Sequence, residues 1–245
     1  MRMRKPPTID RRPLGTTSVA AATAASTAPS SDCALCPRLA GFRAENRLIL
    51  PDGHNAPVPS FGPMDAPVLV IGLAPGLRGA NFTGRPFTGD YAGDLLYSAL
   101  LRFGLASGRY GASARDGLQP DLCRITNAVR CAPPQNKPTP QEITTCRCFL
   151  SAEISAMPCL RALLCLGRIA HDSTVRALGA RAKAAPFSHG AIHRLPGGLT
   201  LYDSYHCSRY NTSTRVLTPE MFDAVFARLV EDLQLPELQA RAGPE

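Results

Sequence analysis

Four cysteines stand in two pairs whose spacing suits a metal centre. Cys33-Ala-Leu-Cys36 is a C-x-x-C unit, and Cys131 is followed fifteen residues later by Cys146. The first pair precedes a helical pattern; the second brackets the Pro-rich stretch Ala132 to Pro140 and the first turns of the helix after it. Four thiolates placed this way can close around one metal centre. Spacing alone leaves zinc and an iron–sulfur cluster both open, and Cys148 competes with Cys146 for the fourth place. Cys123, Cys159 and Cys165 lie in or beside apolar runs and read as small packing residues.

A second chemical feature is the stretch from Gly72 to Asp90, GLAPGLRGANFTGRPFTGD, which follows the apolar run Val68 to Ile71. Glycines at a strand end let backbone N–H groups approach an anion closely. The stretch lacks the Gly-Lys-Ser/Thr ending of a Walker A loop and the GxGxxG fingerprint, which argues against nucleoside triphosphate binding.

The elements that must position these residues follow from hydrophobic pattern. Val68 to Ile71, Leu122 to Val129, Leu163 to Leu166 and Leu199 to Tyr202 predict four strands, the first buried on both faces. Between them, Leu95 to Phe103, a segment from Thr139 and one from Gly167 to Leu178 carry helical spacing. Thr139-Pro140-Gln141-Glu142 combines an N-cap, a proline at the first helical position and a capping box. Thr218-Pro219-Glu220 starts a last helix with Phe222, Val225, Phe226, Leu229 and Val230 in one stripe. Strands alternating with helices predict a three-layer α/β/α sandwich around a mostly parallel four-stranded sheet. Ligands of such sheets bind beyond the C-terminal strand ends.

Length and composition bound the rest. The chain has 245 residues, 44% apolar and 19% charged, with a formal net charge of +8. Half of that excess lies in the first twelve residues, so overall charge is a weak guide to a polyanion-binding face. Residues 1–30 read as a disordered basic and Ala/Ser/Thr-rich tail, 31–235 as one domain, and 236–245 as a flexible C-terminal tail. No apolar run is long enough to span a bilayer. Thr16 to Ser31 is too polar for a secretory h-region, so a reducing cytoplasm is the expected location.

GLAPG with GRPFTGD, TNAVRC before the Pro-rich loop, and SYHCSRYNT before LTPEM together resemble the iron–sulfur uracil-DNA glycosylases, more narrowly the family 5 or type b branch. The resemblance runs from about Cys33 to about Leu235. It implies a [4Fe-4S] cluster on Cys33, Cys36, Cys131 and Cys146, a parallel-sheet α/β/α fold, and removal of uracil from DNA by a monomer with no membrane partner.

The residues suit that chemistry. A glycosylase extrudes the base, reads its edge and stabilises the departing anion. Phe87 offers a flat face for stacking the base. Asn127 ends a strand with an amide that pairs with uracil N3–H and O4. His206 is placed to donate to O2 as charge develops. Arg209 suits a phosphate, Tyr210 the gap left by the flipped nucleotide, and Asn211 the substrate side of the same loop.

Two departures matter. Related families carry an acidic residue in the first motif, where Leu73-Ala74 stands here, so Asn81 and Asp90 become the candidates for positioning water. The small Ala74 also leaves room for a wider base such as hypoxanthine. Cys207 stands where the family usually has proline after the histidine. The missing carboxylate keeps a rival reading, a uracil-DNA binding protein of the same fold with little turnover.

Overall fold

The computed structural model describes residues 27–234. Most of the expected N-terminal tail and all of the C-terminal one lie outside the described residues.

Helix α1 (Pro37–Ile49) precedes strand β1 (Val68–Gly72). A short helix α2 (Ala80–Thr83) and the longer α3 (Tyr91–Arg102) lead to β2 (Cys123–Asn127). Helix α4 (Pro140–Ala156) then connects to β3 (Ala162–Leu166), and α5 (Arg168–Ala177) follows. The chain ends through β4 (Ile192–Arg194), β5 (Thr200–Ser204), the one-turn α6 (Arg209–Ser213) and α7 (Pro219–Leu233).

The strands form one sheet in the order β2-β1-β3-β5-β4. The first four are mutually parallel and β4 runs antiparallel to β5. The sheet therefore has five strands, one more than expected. The extra strand is three residues long and half exposed, so it carries no apolar run for the pattern to show.

Alternation along the buried strands builds the three layers. Val68, Val70, Ile125, Leu164 and Tyr202 face one way, against Leu96 and Leu100 of α3 and Phe222, Phe226 and Leu229 of α7. Leu69, Ile71, Leu163 and Leu201 face the other way, against Leu150 and Ile154 of α4 and Ala170 and Val175 of α5. Side chains of successive strand residues point to opposite faces, so β1 and β3, buried on both faces, are apolar throughout, while β5 buries Thr200, Asp203 and Ser204 as well. The expected capping box is present: Thr139 accepts from the Glu142 N–H, and the Glu142 carboxylate accepts from the Thr139 N–H. The order of strand addition reverses at β1, with β2 on one side and β3 on the other, and the C-terminal ends of β1, β2, β3 and β5 open toward one side.

Candidate active site

At the C-terminal end of β1, Gly72 pairs in register with Asn127 at the end of β2. The absence of a side chain at Gly72 is what allows the site to form. A Cβ there would lie 2.4 Å from Phe87 Cζ and 2.5 Å from Asn127 Oδ1. Phe87 and Asn127 are both buried and converge over this one residue. The His206 ring lies beside them, its centroid 6.2 Å from that of Phe87 with the planes 28° apart. Gly167, at the end of β3, takes φ +98 and brings its Cα region against His206 Cβ. Burial pushes the His206 pKa below the ordinary histidine value, so the imidazole is neutral at pH 7 and carries a single N–H.

Phe87 is held by a cage that motif reading missed. Its backbone sits in the left-handed region at φ 52, which is strained for an aromatic residue. Arg85 donates from both terminal nitrogens to Asp116, at 2.8 and 2.7 Å, and from Nε to Thr88 Oγ1 at 2.7 Å. Tyr97 donates to Pro86 O, and its ring stacks on Tyr110. The Arg85 guanidinium lies over the Phe61 and Tyr97 rings. Arg85 and Asp116 are each only 5% exposed, so the pair is desolvated and rigid. No spacing rule joins residues 85, 97, 110 and 116; the closest signal was the aromatic richness of the segment.

The remaining loop candidates take varied places. Asp90 caps α3, accepting from the Gly93 N–H. Its carboxylate packs on the glycine loop, where a Cβ at Gly79 would come within 2.5 Å of Oδ2. Burial raises the Asp90 pKa. Asn81 is buried and donates to Asn55 Oδ1 at 2.8 Å. Ala74 packs beside Leu39, Val129 and Cys146, on the cysteine side of the loop, so its small size bears first on packing there. The Asn211 side chain donates to His206 O at 2.8 Å, which makes it a brace for the histidine rather than a group aimed at a base. Arg209 is exposed and stacks over Tyr91, and Tyr210 is 73% exposed beside it. Cys207 is fully buried and its thiol donates to Ala92 O, so the loop is anchored to α3 where proline stiffness was expected.

The cysteine centre is assembled by three segments. Cys36 is the N-cap residue of α1 with Pro37 after it, Cys131 follows β2 by four residues, and Cys146 sits on α4. With Cys33 these side chains line one enclosed apolar cavity, together with Leu39, Val129 and Phe149. Cys148 is exposed, outside the cavity lining, with its thiol on Thr145 O. Arg43 donates to Cys33 O at 2.9 Å and approaches Cys131 Sγ at 3.7 Å, while the Arg130 N–H points at Cys146 Sγ at 3.4 Å. Burial pushes the Cys131 thiol up to about 11 and Cys146 up to about 12.

Among the described residues, the one group of three metal-type donors lying within 4.8 Å of one another is His171, His193 and Asp203. The four cysteines form a centre apart from that group, sharing the enclosed apolar cavity. Arg38 ties the two halves of this centre, donating to Glu142 at 2.8 and 2.7 Å and to Lys137 O.

Comparison with known proteins agrees with this geometry. Residues 59–230 match the family model of the uracil DNA glycosylase superfamily. A type-5 uracil-DNA glycosylase of Thermus thermophilus is 46% identical over 195 residues, covering 78% of this chain and 89% of that protein. One from Mycobacterium bovis is 42% identical over 204 residues, 80% of this chain and 76% of the relative. A type-4 uracil-DNA glycosylase of Pyrobaculum aerophilum is 35% identical over 127 residues, 51% of this chain and 57% of the relative. The chain belongs to the uracil-DNA glycosylase superfamily, and within it to the type-5 branch.

Proposed function

We propose that this protein hydrolyses the N-glycosidic bond of uracil in DNA, leaving an abasic site. The observation that carries the reading is the convergence of Phe87, Asn127 and His206 around Gly72 and Gly167 at the strand ends. A flipped uracil stacks on Phe87. Asn127 accepts from N3–H and donates to O4, which selects uracil over cytosine by its pattern of donors and acceptors. The bond from C1′ to N1 breaks with its electron pair moving onto the base, and neutral His206 donates its N–H to the charge growing at O2. Water adds to C1′ and loses a proton. Asn81 Oδ1 and the Asp90 carboxylate are the groups on the glycine loop suited to hold that water. With no strong base close to the reacting carbon, rate depends mainly on stabilising the leaving anion.

Cys33, Cys36, Cys131 and Cys146 would hold a [4Fe-4S] cluster. Its contribution there is structural, joining the start of α1 to the loop after β2 and to α4. Their shared apolar cavity supports this reading. The exposed loop carrying Arg209 and Tyr210 then faces the DNA of a monomeric enzyme, as phosphate contact and plug.

The test is an oligonucleotide assay with enzyme in excess over a uracil-containing strand, followed by alkaline cleavage of abasic product. Product at a rate that His206→Ala and Asn127→Ala both lower supports the assignment. Tight binding without product supports the lesion-binding rival. Parallel duplexes bearing hypoxanthine decide the wider base range.

A further inference from the structure

A second group of metal-type donors lies on the opposite edge of the sheet from the cysteines. His171 on α5, His193 on the edge strand β4 and Asp203 on β5 share the sheet face covered by α5. His171 and Asp203 are fully buried, and the His193 side chain is 14% exposed. One donor atom from each lies within 4.8 Å of the other two.

The hydrogen bonding around the trio is incomplete in a specific way. His171 Nε2 is 2.7 Å from Ala185 O, and Nδ1 is 2.8 Å from Asp203 Oδ1. Both of those oxygens only accept when the carboxylate is ionised, so a neutral imidazole satisfies one of them and presents a lone pair to the other. Asp203 Oδ2 and His193 Nε2 are buried atoms without a hydrogen-bond partner, although they face each other at 3.4 Å. A buried carboxylate oxygen and a buried ring nitrogen left this way carry a desolvation penalty.

A protonated His171 is the form its raised pKa favours, because burial is outweighed by the bonds to Asp203 and Ala185 O. That form satisfies both oxygens but leaves Asp203 Oδ2 and His193 Nε2 unpaired, whereas an ion satisfies all four atoms. A histidine that ligates a metal through one nitrogen commonly donates its other N–H to a backbone carbonyl, as His171 does to Ala185. Each imidazole faces its own Asp203 oxygen, His171 Nδ1 at 2.8 Å from Oδ1 and His193 Nε2 at 3.4 Å from Oδ2. These separations are on the scale of the roughly 3.3 Å expected between co-ligands held about 2.0–2.1 Å from a tetrahedral ion. We propose that His171 Nδ1, His193 Nε2 and a carboxylate oxygen of Asp203 bind a divalent transition-metal ion of zinc's class. Two imidazoles and one carboxylate suit such an ion, whereas an all-oxygen set would favour calcium or magnesium. The ion would pin the edge strand to α5 and to β5, three residues before His206. By donor type and position it is separate from the cysteine centre.

The experiment uses the full chain with its cysteine centre loaded. The protein is freed of loosely held metal with a mild chelator and titrated calorimetrically with Zn²⁺ alone. A parallel titration with Co²⁺ alone is read by difference absorption. The expected result is about one equivalent bound, and cobalt d–d bands without a thiolate-to-cobalt charge-transfer band. His193→Gln, at the half-exposed edge, weakens binding at least tenfold and leaves uracil excision unchanged. Asp203→Asn is the second variant, and Zn²⁺ raises Tm in wild type but in neither variant. Absence of binding, equal affinity in His193→Gln, or a thiolate band from the bound cobalt would each overturn the proposal.

Discussion

The Phe87 ring and the Asn127 amide oxygen meet over the bare Cα of Gly72, each within 2.5 Å of where a Cβ would stand. Neither neighbour is free to move. Phe87 is locked by the Arg85 cage, and Asn127 is in register on the adjacent strand. Gly72→Ala therefore displaces the Phe87 ring or the Asn127 amide by a large fraction of an ångström. We expect uracil excision to fall by about 10²-fold, the scale of a misplacement near 1 Å. Single-turnover kinetics check this. Overpacking should also cost about 1–3 kcal/mol of stability, read by urea unfolding.

Burial lowers the His206 pKa, which leaves the ring neutral with one N–H to donate. A lowered histidine pKa means that protonation waits for pH below the ordinary value of about 6.5. NMR titration of the ring should show its inflection below that point, and the excision rate should show no His206 inflection between neutral pH and about 6.5. His206→Ala should reduce kcat by about 10²–10³-fold, the usual cost of one donor to a developing anion.

The Arg85–Asp116 pair is a latch for Phe87. Bonds from Arg85 outweigh burial and hold the Asp116 carboxyl well below the usual carboxylate range. A depressed carboxyl pKa contributes stability that is present above the unfolded value, about 3.9, and is lost as pH falls toward the folded one. Asp116→Ala strands Arg85 in an apolar cage, which should cost about 3–5 kcal/mol. Part of the acid-induced loss of stability should vanish in this variant. Excision should also drop, since the strained Phe87 backbone loses its support.

Cys146 and Cys148 lie two residues apart on α4, yet only Cys146 lines the cavity with the other three cysteines. Cys146→Ser should lose bound iron and the brown absorption near ~400 nm that marks a cluster. Cys148→Ser should keep both. Iron assay and absorption spectra of the purified variants decide between them.

Arg209 stands at the surface with its guanidinium over Tyr91. If it meets a phosphate, Arg209→Ala should weaken DNA binding across sequences and reduce the slope of log affinity against log salt by about one. Binding titrations at several salt concentrations measure that slope.

Much of the architecture was legible from local pattern, because its signals are local. Short apolar runs such as Val68 to Ile71 suit a strand covered on both sides, and Thr139 with Pro140 and Glu142 suits a helix start, where its side chains satisfy orphan N–H groups. The edge strand β4 was not legible, since three half-exposed residues take their conformation from pairing with β5.

The candidate site divides the same way. Residue types set which groups are able to stack, donate or ligate, so motif and chemistry made Phe87, Asn127, His206 and the four cysteines candidates. Which of them act together was decided by tertiary structure. Gly72 serves as a gap only because β1 and β2 align it with Asn127, and Asn211 became a brace only when α6 turned it toward His206 O. The Arg85–Asp116 latch and the His171, His193 and Asp203 trio join residues 31 and 32 positions or less apart along the chain but on different elements. The sequence determined the inventory of chemistry. The fold decided its geometry, because distances between side chains on separate elements depend on sheet order and register, which no local pattern encodes.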